Sequence, residues 1–164
     1  RYELADFPGQ NFYRNLGTST RYGLELEGVL SFGKHQQLRG SITQAAYRFD
    51  REGQSFRIPG VAERTAQLGW QFDNRRWEVG LQTFYQGALY ADDLNNTLVP
   101  DYTLVDLNLG YQLSLLGTQS KLAIRIQNLT NTSYFDNIRI NAFGKRYYES
   151  AAGRQFFVRL ACAF

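Results

Sequence analysis

The residues of this chain whose types could do chemistry are few and far apart. His35 is the only histidine and falls in a short polar turn, with no nucleophile beside it; a solvated turn residue is the better reading. Cys162 is the only cysteine, so no internal disulfide forms, and it lies on the apolar parity of the last stretch. Asp92, Asp93, Asn95 and Asn96 offer oxygens of the kind that hold calcium, but they lack the glycine and distal glutamate of an EF-hand loop and read as polar surface. Glu25 and Glu27 could share acid–base work. Arg39, Arg125 and Arg159 fall on the same parity, however, and an ion-paired wall is favoured over catalysis. Asn95, Asn128 and Asn131 head glycosylation-type triplets. Nucleophile elbow, phosphate loop and zinc spacing are all missing, so no catalytic residue, metal or cofactor is expected.

One stretch does combine binding chemistry. Residues 132–153 hold Tyr134, Phe135, Phe143, Tyr147 and Tyr148 together with Arg139, Lys145 and Arg146. Aromatic stacking plus arginine hydrogen bonding suits a ligand that presents flat faces and anionic groups. Arg139, Phe143, Arg146 and Tyr148 are the candidate ligand-binding residues. In the competing reading Ile138 and Ile140 continue a strand, the aromatics pack neighbouring loops and the cations contact lipopolysaccharide phosphates.

The elements that carry these residues are strands. Apolar residues recur at every second position in seven stretches, at 22–32, 37–49, 64–72, 77–90, 102–113, 121–131 and 154–164. Leu24, Leu26, Leu68, Leu81, Leu107, Ile124 and Leu160 take one parity; Glu25, Arg39, Gln82, Asp106, Arg125 and Arg159 take the other. Gln44 sits on the apolar side, a local flaw. Short turns at 33–36, 73–76 and 114–119 alternate with long polar loops at 50–61, 91–101 and 132–153, while 1–15 reads as loop. Only an antiparallel up-and-down order fits connections this short. Phe32, Phe72, Trp77, Tyr111 and Phe164 fall on the apolar parity at the short-turn end, where an interfacial girdle belongs. The mean hydropathy is slightly polar and no apolar run reaches the ~18 residues of a membrane helix. A spanning strand needs only about ten residues and turns half of them away from lipid. Basic residues are interspersed with carboxylates rather than massed, which argues against nucleic acid.

Four segments carry a family resemblance. Asn15, Gly17, Arg21, Gly23, Glu25 and Glu27 in NLGTSTRYGLELE, then VPDYTLVDLNLGY from Val99, then QNLTNTSY from Gln127, and Gly153-Arg154 leading to Phe164, resemble the C-terminal part of TonB-dependent outer-membrane receptors. Leu129-Thr130 stands where a Leu-Phe pair is common. The resemblance implies an all-β fold, an antiparallel up-and-down transmembrane β-barrel segment of about seven strands from a barrel of about twenty-two. On this reading residues 1–164 are the C-terminal portion of the barrel, with the plug domain and earlier strands absent. The implied location is the outer membrane of a Gram-negative bacterium. The implied function is uptake of a scarce nutrient, most simply a ferric siderophore, haem or another iron chelate. The implied partners are outer-membrane lipid, the plug and remaining strands, the TonB complex and the chelate. Seven strands make a sheet roughly 34 Å wide that is too narrow to close, so its first and last strands are expected to pair with others. A small outer-membrane barrel acting as adhesin or enzyme, and a soluble lipid-binding barrel, are the alternatives.

Overall fold

Seven long strands follow one another as an antiparallel meander, each hydrogen-bonded to the next in the chain. The structure is a computed structural model that describes residues 17–51, 53–115 and 118–162. The wall is built from β1 (Thr18–Phe32), β2 (Gln36–Arg51), β4 (Arg64–Asp73), β5 (Trp77–Gln86), β8 (Tyr102–Leu115), β9 (Thr118–Gln127) and β12 (Gln155–Cys162), in that order. Shorter pieces lie at the long-loop end. These are β3 (Gln54–Arg57) on β2, the hairpin of β6 (Leu89–Tyr90) with β7 (Leu98–Val99), and the hairpin of β10 (Phe135–Ile138) with β11 (Tyr148–Ser150). β1 and β12 stand at the two margins and do not pair with each other among the described residues, so the sheet as described is open.

Register sorts the side chains as the alternation requires. Leu30, Leu38, Trp70, Leu81, Leu107, Ile126 and Phe156 form one row straight across all seven strands. Beside it run Gln36, Phe72, Val79, Leu109, Ile124 and Val158. Apart from Gln36 at the turn these rows are apolar, and a one-residue slip would send side chains such as Gln71, Gln82, Asp106 or Arg125 into them, which is what holds the register. The opposite face is concave and polar, lined among others by Glu27, Arg39, Gln71, Glu78, Gln82, Asp106, Asn108, Lys121, Arg125 and Arg159. Large apolar side chains on the first face stay exposed, including Leu24, Leu26, Leu68, Leu81, Val158 and Leu160. A water-soluble sheet would cover such a face; a lipid-facing one has no need to.

The turn end is tied locally. Asp73 N–H donates to the His35 carbonyl at 2.8 Å, and His35 Nδ1 lies 2.8 Å from the Asp73 carbonyl. Asn74 Oδ1 accepts from the N–H groups of Arg76 and Trp77, while Arg75 takes a positive φ of 70°. The girdle expected there is present: Trp77 and Tyr111 rings are 4.4 Å apart, and the Arg76 guanidinium donates to the Tyr111 hydroxyl at 2.7 and 3.1 Å. Phe164 lies outside the described residues.

Several boundaries differ from the periodic reading. β5 stops at Gln86, because Gly87 N–H turns to the Arg64 carbonyl, and Leu89–Tyr90 leaves the wall to pair with β7. β9 ends at Gln127 rather than near 131, since Asn128 and Asn131 take positive φ of 51° and 55°. It begins three residues earlier than expected, at Thr118. The supposed loops at 50–61, 91–101 and 132–153 contain β3, β7 and the β10–β11 hairpin. A small core of Leu89, Ala91 and Val99, with Ala62, Phe135, Ile138 and Tyr147 against it, packs the three loops into one cap.

Candidate functional site

The base of the 132–153 loop is set by two asparagines. Asn128 is buried and pairs with the Thr132 backbone through both ends of its amide, at 2.8 and 2.9 Å. Asn131 Oδ1 accepts from Arg154 N–H at 2.9 Å, joining the loop's exit to its entrance. Asparagine tolerates the left-handed backbone these two turns need. The triplets that resembled glycosylation acceptors at Asn128 and Asn131 are therefore structural clamps. Asn128 N–H also donates to Asp106 Oδ1 at 2.9 Å, so the loop is anchored to the concave wall.

Above that base the four predicted ligand residues share one hairpin but not one geometry. Arg139 follows β10, and its guanidinium is held by the Glu149 carboxylate, which also accepts from Asn137 Nδ2 at 2.8 Å. Those bonds from Asn137 and Arg139 keep the Glu149 carboxyl below the usual range. Tyr148, on β11, stacks on Phe135 with ring centroids 4.6 Å apart. Phe143 is 99% exposed in the short 3-10 turn Phe143–Lys145 at the hairpin tip. Arg146 is exposed and makes no hydrogen bond or ion pair among the described residues. Tyr147 and Phe135 pack toward the cap's core instead, the structural role the competing reading foresaw for part of this set.

A feature that periodicity missed lies below the hairpin. Phe84, Tyr102 and Tyr134 form a ladder of rings, 6.1 Å from Phe84 to Tyr102 and 4.7 Å from Tyr102 to Tyr134. Phe84 and Tyr102 come from neighbouring strands on the concave parity, and Tyr134 comes from the loop base. Burial, reinforced by the nearby Asp136 and Asp106 charges, pushes the Tyr134 phenol above its ordinary value, so it stays a neutral hydrogen-bond donor. Phe84 on an otherwise polar parity was the available signal in the sequence. Its meaning depends on Tyr134, fifty residues away in the chain, and that contact leaves no periodic trace.

The concave wall below the ladder encloses about 1320 Å³ of open trough. Its ion pairs differ from those expected. Lys121 Nζ binds both Glu78 carboxylate oxygens at 2.6 Å, and Arg125 lies 3.8 Å from Asp106. Glu25, Glu27, Arg39 and Arg159 make no ion pair among the described residues. Asp92 also departs from its reading as solvated surface. It is buried, and its carboxylate accepts from the N–H groups of Leu94, Asn96 and Thr97 at 2.6–3.1 Å. Burial pushes its carboxyl up, but the bonds from Asn96, Thr97 and Leu94 together outweigh that and hold it below the ordinary value. The neighbouring side chains bind the other loops: Asn95 brackets the Arg57 backbone, and Asp93 pairs with Asn141.

This arrangement has known counterparts. A ferrioxamine B receptor of Salmonella typhimurium is 28% identical over 131 residues, 74% of this chain and 19% of the relative. The unliganded ferric citrate transporter FecA superposes with a TM-score of 0.73 at 17% identity, over 88% of this chain and 24% of that one. The ferric yersiniabactin uptake receptor FyuA of Yersinia pestis gives a TM-score of 0.72 at 20% identity, over 89% and 23%. The chain thus spans about a fifth of its curated relative's length, as a partial wall of a larger barrel. The family described as TonB dependent receptor-like, beta-barrel matches residues 2–129, and this chain belongs to that family of Gram-negative outer-membrane proteins.

Proposed function

We propose that this chain is the C-terminal part of the barrel of an outer-membrane receptor that takes up an iron chelate, most simply a ferric siderophore, with energy delivered through TonB. Family membership supports transport rather than catalysis. The observation that carries the chelate reading is the ring ladder of Phe84, Tyr102 and Tyr134, which leads from the loop hairpin onto a polar concave wall. A flat chelate is offered stacking faces in series, and Arg139 and Arg146 offer donors to its anionic groups. The unpaired Glu27, Arg39 and Arg159 on the concave face give a plug domain polar groups to bind.

A ferric catecholate, whose aromatic rings and negative charge match the ladder and the arginines, is titrated against the full receptor by quenching of intrinsic fluorescence as the first probe. Replacing Tyr134 with Ala removes one stacked ring and is expected to weaken binding roughly three- to tenfold. Replacing Phe143 and Arg146 together tests the hairpin tip. Unchanged affinity in both variants, with normal insertion, sinks the ladder and the hairpin as the chelate's site.

A further inference from the structure

On the outer face, Gln44 is the position that breaks the apolar parity. It stands in register with Leu24 of β1 and Arg64 of β4, on the face that carries Leu26, Ile42 and Leu68. Its amide oxygen accepts from Arg64 Nε at 2.6 Å, and its amide nitrogen lies 3.4 Å from the Glu63 carbonyl. Both ends of the amide are thus engaged in placing Arg64. Four residues further along the same face stands Arg48, directly opposite Arg57 of β3. Both guanidinium groups reach the Glu63 carboxylate, Arg57 Nε at 3.4 Å.

Two guanidinium groups therefore share one carboxylate, while the Arg64 guanidinium is held by Gln44 on the same face, with Asp50 a further step outward on β2. Exposure is graded: the Glu63 side chain is 16% accessible, Arg48 32% and Arg57 45%. The anion is enclosed and the cations open outward. Tyr22 faces Ala46, between the Gln44 and Arg48 levels, and projects from the same face. A tyrosine at the upper limit of an apolar belt marks headgroup level. Long arginine side chains lodged there carry their charge out of the hydrocarbon and present planar donor pairs to phosphate oxygens.

The geometry points to a binding site for the phosphate of a lipid in the leaflet on the loop side, formed by Arg48, Arg57 and Arg64, with Arg64 oriented by Gln44 and the Glu63 carboxylate competing with the phosphate for Arg48 and Arg57. A lipid is chosen over a free anion because the cluster is continuous with the lipid-facing belt. Gln44 is then a positioning residue rather than a flaw.

The test uses the full receptor, stripped of lipid in detergent, and bis-phosphorylated lipid A in mixed micelles, with retention read by native mass spectrometry. The expected result is retention that falls about fivefold for each of Arg48→Gln and Arg64→Gln. Gln44→Leu lowers it by less. Glu63→Gln raises it, because the competing carboxylate is gone, a gain that misfolding cannot produce. Lipid A with both phosphates removed is retained no better by the wild type than by Arg64→Gln. The proposal is overturned by equal retention of the two lipids, by arginine variants that hold lipid A unchanged, or by Glu63→Gln losing it, which would make the cluster a loop staple. Displacement by an equal concentration of inorganic phosphate would also overturn it, in favour of a free-anion site.

Discussion

Placing an arginine at Leu107 tests the two-faced wall by its energetics. Leu107 occupies the row that crosses all seven strands, between Leu81 on β5 and Ile126 on β9. Its neighbours in that row are apolar on every strand, so a guanidinium there finds no partner and faces hydrocarbon near midspan. The cost expected for arginine at such a depth is ~2–4 kcal/mol, a reduction of roughly thirty- to nine-hundred-fold in the folded-to-unfolded ratio. Asn108, one residue on, lines the concave trough, and its replacement by Ser is expected to cost within about 0.5 kcal/mol. Urea-titrated insertion of the full receptor into phospholipid vesicles, read by tryptophan fluorescence and heat-dependent electrophoretic mobility, gives both numbers. If the Leu107→Arg receptor matches wild type, or Asn108→Ser costs as much, the register as assigned is wrong.

Three other outcomes follow from the same geometry. Asp92 has a lowered folded value, so its contribution is present above its ordinary value of 3.8 and is lost as pH falls through the folded one; the protection of the Leu94, Asn96 and Thr97 amides, taken relative to their intrinsic exchange at each pH, should fall in that acid window, and an Asp92→Asn receptor should show no such step. Gly60 combines a φ of +76° with an Ile140 methyl 2.8 Å from where a Cβ would sit, so Gly60→Ala is expected to loosen the cap by about 1–2 kcal/mol, seen as faster exchange in both loops. The Lys121–Glu78 pair is more than a third exposed and should contribute no more than about 1 kcal/mol in a double-mutant cycle, less in high salt.

The wall was legible because its signal repeats. A two-residue period sustained over nine or more positions leaves one register that keeps Leu81, Leu107 and Ile126 together, and the short turns leave one topology. The cap was not legible for the opposite reason. β6, β7, β10 and β11 are two to four residues long, too short to display a period. They exist because Leu89, Ala91 and Val99 find Phe135, Ile138 and Tyr147 from another loop. Asp92 illustrates the same limit: DDLNN reads as solvated, yet three backbone N–H groups converge on its first carboxylate and remove it from water. Of the candidate site, the hairpin's composition was visible, but the bond from Arg139 to Glu149 and the stack of Tyr148 on Phe135 are tertiary facts. Gln44 was visible as an exception, and only the register to Arg64 gives it a reason.

The most direct test of the wall is an accessibility scan along Trp77–Gln86 of β5 in the full receptor, with one spin label at a time in lipid vesicles. Oxygen, which concentrates in the bilayer, should relax labels at Trp77, Val79, Leu81, Thr83 and Tyr85 strongly. A water-soluble nickel chelate should instead reach those at Glu78, Gly80, Gln82 and Gln86 wherever the trough is open. A strict alternation with that phase is the predicted result. Uniform accessibility along β5, or alternation with the opposite phase, would contradict the assignment of the concave polar face to the lumen.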